Sequence, residues 1–140
     1  MTAWDGQGTG RLEGIGGVDV RAVRRWVRGE VTRLGADGAD LGDVDLMVDE
    51  IAGNALRHTA SGCAGGGVSA AVRSASGRIR VEITDDGGAA SVPAAKALVD
   101  VWAECGRGLA MVAALSDDWG FEVGDGASRP VTVWFEVARR

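Results

Sequence analysis

The stretch "DEIAGNALRHT", Asp49 to Thr59, carries the helical pattern that decides the fold of this chain. In it and just before it, apolar residues recur at i, i+4, i+7 and i+11, which is typical of a helix with one face packed on a core. These residues are Val44, Val48, Ile51 and Ala55. The spacing predicts a helix from about Val44 to His58, with Asp43 placed to cap its first turn.

A polar stripe runs beside the apolar one. Glu50, Asn54 and Arg57 follow one another at i, i+4 and i+7 and spread over about 60° of the helix. A carboxylate at Glu50 can accept a proton from an attacking hydroxyl or water, and the amide oxygen of Asn54 is a hard ligand of the kind that Mg²⁺ prefers. From the helix alone, a solvated flank explains these residues more simply. Gly53 lies between them and costs a helix interior about 1 kcal/mol relative to alanine.

The composition limits the classes of protein that fit. The 140 residues make one ordinary domain with a core. No apolar run approaches the ~18 residues of a membrane span, and the N-terminus has no signal pattern, so we expect a cytoplasmic protein without membrane contact. The net charge of −5 argues against general affinity for nucleic acid. The single lysine, Lys96, follows no glycine-rich loop, which excludes a P-loop and a eukaryotic-type kinase signature.

The rest of the chain predicts an α+β domain. Residues 1–17 are rich in glycine and without period, so we expect a flexible leader before one domain at 18–140. Valines at helical spacing predict a helix between Val18 and Gly35, with a run of arginines on its solvated face. The segments "VSAAVR", "RIRVEIT", "WGFEV" and "VTVWFEV" predict strands. Helices on one face of a mixed, mostly antiparallel sheet make a two-layer α/β sandwich.

Two glycine-containing motifs follow these elements. In "VEITDDGG", Asp85 ends a strand, where a carboxylate can accept a hydrogen bond from an exocyclic amine while Gly87 lets a flat ring approach. In "GRGLAM", Gly106 and Gly108 open a helix whose free N–H groups can bind phosphate. Taken singly, each motif is better explained by an ordinary turn.

The order and spacing of these motifs resemble the ATP-binding domain shared by histidine kinases, gyrase and MutL, the GHKL or Bergerat fold. The nearest branch is that of the stand-alone bacterial anti-sigma factor serine/threonine kinases. The resemblance covers about Val18 to Val137, with "DLMVDEIAGNALRHT", "VEITDDGG", "GRGLAMVAALSDDWG" and "VTVWFEV" as four boxes in order.

The resemblance implies a role for each matching residue, with ATP and Mg²⁺ as cofactors. Glu50 would be the general base, Asn54 the Mg²⁺ ligand, and Asp85 the residue that recognises the adenine amino group. The other residues expected to line the nucleotide are Gly87, Gly106, Gly108, Leu109, Thr132, Arg57 and His58, the last two without a firm role.

The chain departs from the family pattern at two positions. Ala89 stands where a glycine is usual, which implies a stiffer hinge for the lid between Ala89 and Cys105. Gly53 stands where a small hydroxyl residue is usual, so one hydrogen bond near the nucleotide is lost. The short lid suits the stand-alone branch.

Four hypotheses remain at this point. The first is a kinase that phosphorylates a small anti-sigma factor antagonist of the STAS type and sequesters an RNA polymerase sigma factor, with a homodimer left open. The second is a nucleotide-binding switch with little or no phosphotransfer. A detached histidine-kinase domain is disfavoured because the single histidine, His58, lies within the ATP-site helix. The fourth is an α+β interaction domain without ligand.

Overall fold

The structure, a computed structural model, describes residues 4–35, 39–88 and 107–138. Five strands and three helices have these bounds: Gly6–Glu13 (β1), Val20–Arg33 (α1), Leu41–His58 (α2), Gly67–Ala75 (β2), Arg78–Thr84 (β3), Arg107–Leu115 (α3), Asp118–Val123 (β4) and Val131–Ala138 (β5). A short 3-10 turn at Ala60–Gly62 follows α2. The predicted lid lies outside the described residues. In the part of the chain that is described, no helix is long and apolar enough to cross a membrane.

The five strands form one sheet in the order β1-β2-β3-β5-β4, and all four pairings are antiparallel. Alternate residues of β2, β3 and β5 point towards the helices and form one hydrophobic core with them. The predicted apolar stripe of α2 is fully part of that core, with Val44, Val48, Ile51 and Ala55 all buried. The α+β sandwich is therefore confirmed, with a described sheet that is antiparallel throughout instead of mixed.

The N-terminal segment differs from the sequence prediction. Gly6–Glu13 pairs with β2 over its whole length, so the prediction of a flexible leader is wrong for these residues. Glycine occupies three of the four inward positions of β1, Gly6, Gly8 and Gly10, and Leu12 occupies the fourth. A Cβ added at Gly10 would lie 2.9 Å from the Trp26 ring, and one at Gly8 would lie 2.8 Å from the carboxyl carbon of Glu30. The missing β-carbons let the strand approach the helix closely.

Helix α2 begins one turn before its predicted start. Asp40 is the N-cap, and its side chain accepts a hydrogen bond from the backbone N–H of Asp43 at 3.1 Å. Asp43, the predicted cap, therefore lies in the first turn of the helix. A negative charge there still stabilises the helix, because it interacts favourably with the positive end of the helix dipole. The physical reason is that two aspartates compete for the same role, and the earlier one lets Leu41 pack against the core.

The arginines of α1 tie that helix to α2. Arg24 pairs with Asp49 at 2.8 Å, and Arg28 pairs with Asp45 at 2.9 Å. The predicted solvated face is thus partly an interhelical contact, which holds the polar side of α2 against α1.

Charged pairs cover the face of the described sheet that points away from the helices. Glu136 accepts hydrogen bonds from Arg78 and Arg80, each at 3.0 Å. Arg80 also donates to Glu82 at 2.8 Å, and its guanidinium lies 4.0 Å from the centre of the Trp134 ring. The charged side chains on this face neutralise one another in pairs. The hydrophobic core of the described residues therefore lies on the other face of the sheet.

Candidate active site

Asp85, at the end of β3, is the most unusual acid in the described structure. Only 4% of the residue is exposed. Its Oδ1 accepts hydrogen bonds from the backbone N–H groups of Gly87 at 2.7 Å and Val131 at 3.1 Å, whereas its Oδ2 is buried without a partner among the described residues. Burial raises the pKa of Asp85 to about 6, although the two backbone hydrogen bonds oppose that rise. A buried acceptor left without a donor is costly, so this oxygen is suited to a donor from a ligand.

The turn after Asp85 is fixed to the end of α2. The carbonyl of Gly87 accepts a hydrogen bond from the Ala60 N–H at 2.8 Å, and the Asp86 N–H donates to Ser61 Oγ at 3.0 Å. Gly87 has a φ of +66°, and a Cβ there would overlap the carbonyl oxygen of Ser128. The close approach of the loop before β5 therefore requires this glycine, and its predicted contact with a flat ring stays a prediction.

Asp86 links this turn to the edge strand. Arg11 donates to both of its carboxylate oxygens, at 2.7 and 3.0 Å, and the Gly67 N–H donates at 2.9 Å. The hydrogen bond from Arg11 lowers the pKa of Asp86. Arg11 was not among the predicted site residues, because it belongs to the segment predicted as a leader. The alternation of glycine with longer side chains in "GQGTGRLE" was the one signal available.

The polar stripe lies in the C-terminal half of α2, the helix whose following 3-10 turn contacts the turn after Asp85. Asn54 is buried, and its Oδ1 accepts a hydrogen bond from Arg57 Nη2 at 2.8 Å, while its Nδ2 has no partner in the described residues. Glu50 is half-buried, and its carboxylate has no hydrogen bond or ion pair within the part of the chain that is described. Partial burial and the charge of Arg57 lower the pKa of His58. An acid and an amide thus lie one turn apart, with a cation already at the amide.

Helix α3 packs against α2 and begins at Arg107. Gly108 lies in its first turn, where the N–H groups have no acceptor within the helix. Leu109 is buried in the core, and its predicted place behind the phosphate-binding glycines stays a prediction. Gly106 lies outside the described residues, so its predicted contact with phosphate stays a prediction.

Thr132 is not where sequence analysis places it. The residue lies on the sheet face away from the helices, and its hydroxyl is 2.7 Å from the hydroxyl of Thr84. The prediction that Thr132 lies beneath the adenine near Asp85 is wrong, because strand alternation turns Val131 towards the core and Thr132 away from it. The β5 group that contacts Asp85 is the backbone N–H of Val131.

Comparison with known families agrees with this arrangement. The family model of the histidine kinase-like ATPase domain matches residues 18–133. The chain belongs to that family. A search of curated proteins found no match. The ATPase domain is of the GHKL type and binds ATP, as the resemblance of the four boxes implies.

Different residues of the ATPase domain fit the adenine of the nucleotide and the Mg²⁺ that accompanies its phosphates. The orphaned Oδ2 of Asp85 suits the amino group of adenine, which is a hydrogen-bond donor. On the metal side, the described residues contain no cluster of three or more carboxylate, histidine or cysteine ligands. The resemblance makes Asn54 the residue that would hold Mg²⁺, together with phosphate oxygens and water, which are usual ligands of this ion. Its oxygen is engaged by Arg57 in the free domain.

Proposed function

We propose that this chain is an ATP-dependent serine/threonine protein kinase of the anti-sigma factor type. Its substrate would be a serine on a small anti-sigma factor antagonist of the STAS type, and its second partner an RNA polymerase sigma factor. Transcription from promoters that need that sigma factor would then depend on the phosphorylation state of the antagonist. This activity belongs in the cytoplasm, where sigma factors act.

The observation that carries the proposal is the state of Glu50. A half-buried carboxylate without a cation or hydrogen-bond donor among the described residues is free to accept a proton. It lies one helical turn from Asn54, the predicted metal ligand, so base and metal would act on the same phosphoryl group. Glu50 differs in this from Asp45 and Asp49 of the same helix, which each pair with an arginine of α1.

The proposed reaction needs little covalent help from the protein. Glu50 would accept the proton of the serine hydroxyl as the serine oxygen bonds to the γ-phosphorus and the bond to ADP breaks. Asp85 would hold the adenine, and the N-terminus of α3 would offer N–H groups to the phosphates. Mg²⁺, when bound, supplies neutralisation of the charge on the phosphate oxygens.

The second candidate function is a nucleotide-dependent switch with little or no phosphotransfer. The hydrogen bond from Arg57 to Asn54 favours it, because a cation at the predicted metal ligand opposes Mg²⁺ binding. Such a switch would bind ATP and change its affinity for a partner without modifying it.

Incubation of the purified protein with γ-labelled ATP, Mg²⁺ and candidate antagonists distinguishes the two functions. The kinase transfers label to an antagonist, and replacement of the acceptor serine by alanine abolishes the transfer. The switch binds ATP, as calorimetry would record, and transfers no label to any antagonist that it binds.

Glu50→Ala tests the base directly. General-base catalysis contributes about a hundred- to ten-thousandfold to rate, so transfer should fall by that factor while ATP affinity stays within about twofold. Glu122→Ala is a matched control, because Glu122 is an exposed acid on β4. Transfer by Glu50→Ala at the wild-type rate would show that another group is the base.

A further inference from the structure

The contact between Arg57 and Asn54 places a positive charge where the metal is expected. Arg57 Nη2 lies 2.8 Å from Asn54 Oδ1, and the rest of the asparagine is buried. Reversing the amide would put two donors against each other, so Oδ1 is the atom that faces the guanidinium. The side-chain oxygen of Asn54, the atom expected to bind Mg²⁺, is therefore already in contact with a cation.

Gly53 provides the space for this arrangement. A Cβ built on Gly53 would lie 3.1 Å from Arg57 Nη1 and 3.6 Å from Nη2. The guanidinium thus folds back over the helix at the position that has no side chain. An amino acid with a β-carbon there would push the end of Arg57 away by a few tenths of an ångström and weaken its hold on Asn54.

We propose that Arg57 is a displaceable stand-in for the metal ion: in the free protein it occupies Asn54 Oδ1, and it must leave that oxygen before Mg²⁺ can bind. The inference rests on the proposed function, which makes Asn54 the Mg²⁺ ligand. Two positive groups around one amide oxygen repel each other strongly inside a protein, where charges are less screened than in water. Part of the free energy of Mg²⁺ binding is therefore used to break the hydrogen bond between Arg57 and Asn54. As a result, Mg²⁺ increases the affinity for ATP by less than it would if Asn54 were free.

Arg57 is thus a positioning residue, and its guanidinium lies over Gly53 because that residue has no side chain. When no Mg²⁺ is bound, Arg57 gives the buried amide oxygen of Asn54 a hydrogen-bond donor. Without Arg57, that oxygen would be buried without a partner, which is costly. The same contact makes the ATP site respond to Mg²⁺ over a higher concentration range than Asn54 alone would require.

The test is the magnesium enhancement of ATP binding, defined as the ATP Kd in excess chelator divided by the Kd in saturating MgCl₂. Isothermal calorimetry measures both values on the full chain, without any phosphotransfer. Arg57→Ala should raise the enhancement about fivefold, the change expected when one net hydrogen bond no longer has to be broken. Gly53→Ala should raise it by less, because it displaces the guanidinium without removing it.

Arg25→Ala is the matched control, since it removes an exposed arginine from α1 and should leave the enhancement unchanged. An enhancement that is unchanged or lower in Arg57→Ala would overturn the inference. Circular dichroism confirms that each variant is folded, and Gly53→Ala provides a second reading of the same contact. If the wild-type protein binds no ATP in either medium, the proposed function fails as well, and that result is distinct from a changed ratio.

Discussion

Replacing Asp85 with asparagine separates the cost of burying a carboxylate from its use in binding. Oδ1 of Asp85 accepts two backbone hydrogen bonds, which an asparagine oxygen can keep. The amide nitrogen would replace Oδ2, the buried oxygen without a partner among the described residues. Asp85→Asn should therefore fold, lose the buried charge, and present a donor where adenine also presents one.

The size of the stability effect follows from the pKa. Burial raises the pKa of Asp85 from 3.8 to about 6, so between these values the folded state binds more protons than the unfolded state. The stability of the wild-type protein consequently falls as pH rises through this window, and the cost of the charge is complete above about pH 6. Each pKa unit corresponds to about 1.4 kcal/mol, so the buried charge of Asp85 should lower the free energy of unfolding by about 3 kcal/mol.

Urea unfolding of both proteins from about pH 4 to about pH 8 measures this cost, since those limits bracket the two pKa values. The stability of Asp85→Asn minus that of wild type should rise by about 3 kcal/mol across the range, and Asp125→Asn, which changes an exposed acid, should show no such rise. At about pH 7.5, above the folded pKa, ATP affinity of Asp85→Asn should fall about tenfold or more, because two donors would face each other. A stability difference that is constant with pH refutes the argument from burial, and unchanged ATP affinity refutes the contact with adenine.

Two further predictions concern β1. Gly10→Ala should lower the free energy of unfolding by about 1–3 kcal/mol, because the new Cβ would meet the Trp26 ring; urea unfolding measures this, and Gly29→Ala, which has open space on α1, should instead stabilise by up to about 1 kcal/mol. Arg11→Ala should cost at most about 1 kcal/mol at neutral pH, because its ion pair with Asp86 lies at the surface and 41% of the Arg11 side chain is exposed. Arg11 depresses the pKa of Asp86, so that cost should disappear as pH falls through the folded pKa. Thermal unfolding of both proteins across acidic pH checks this, and a cost that persists when Asp86 is protonated would contradict it.

The sequence was most informative where side chains repeat with the period of the element. The apolar stripe of α2 and the alternation of Ile79, Val81 and Ile83 in β3 each predicted the buried face that the structure has. In both elements the apolar residues that repeat in the sequence are the residues that are buried in the core, so the buried face could be predicted from the sequence pattern.

The errors have equally specific causes. Strand β1 was missed because three of its four inward residues are glycines, so the apolar alternation that marks a strand is largely absent. Thr132 was placed on the wrong face because a shift of one residue along a strand reverses every side chain. The bond between Asn54 and Arg57 was within reach, since residues at i and i+3 are neighbours on a helix, but which partner takes the amide oxygen depends on packing around Gly53.

The single-sided core has a practical consequence. The buried apolar side chains described here form one cluster, with the sheet's other face covered by charged pairs, so there is no second hydrophobic centre in this part of the chain to hold structure once the first is lost. Asp85 and Asn54 are both buried in the native fold. A nucleotide that binds them only in the native form will raise the melting temperature of the whole domain in proportion to the logarithm of its concentration, so a simple dye-based melt can rank nucleosides and metal ions before any partner protein is known.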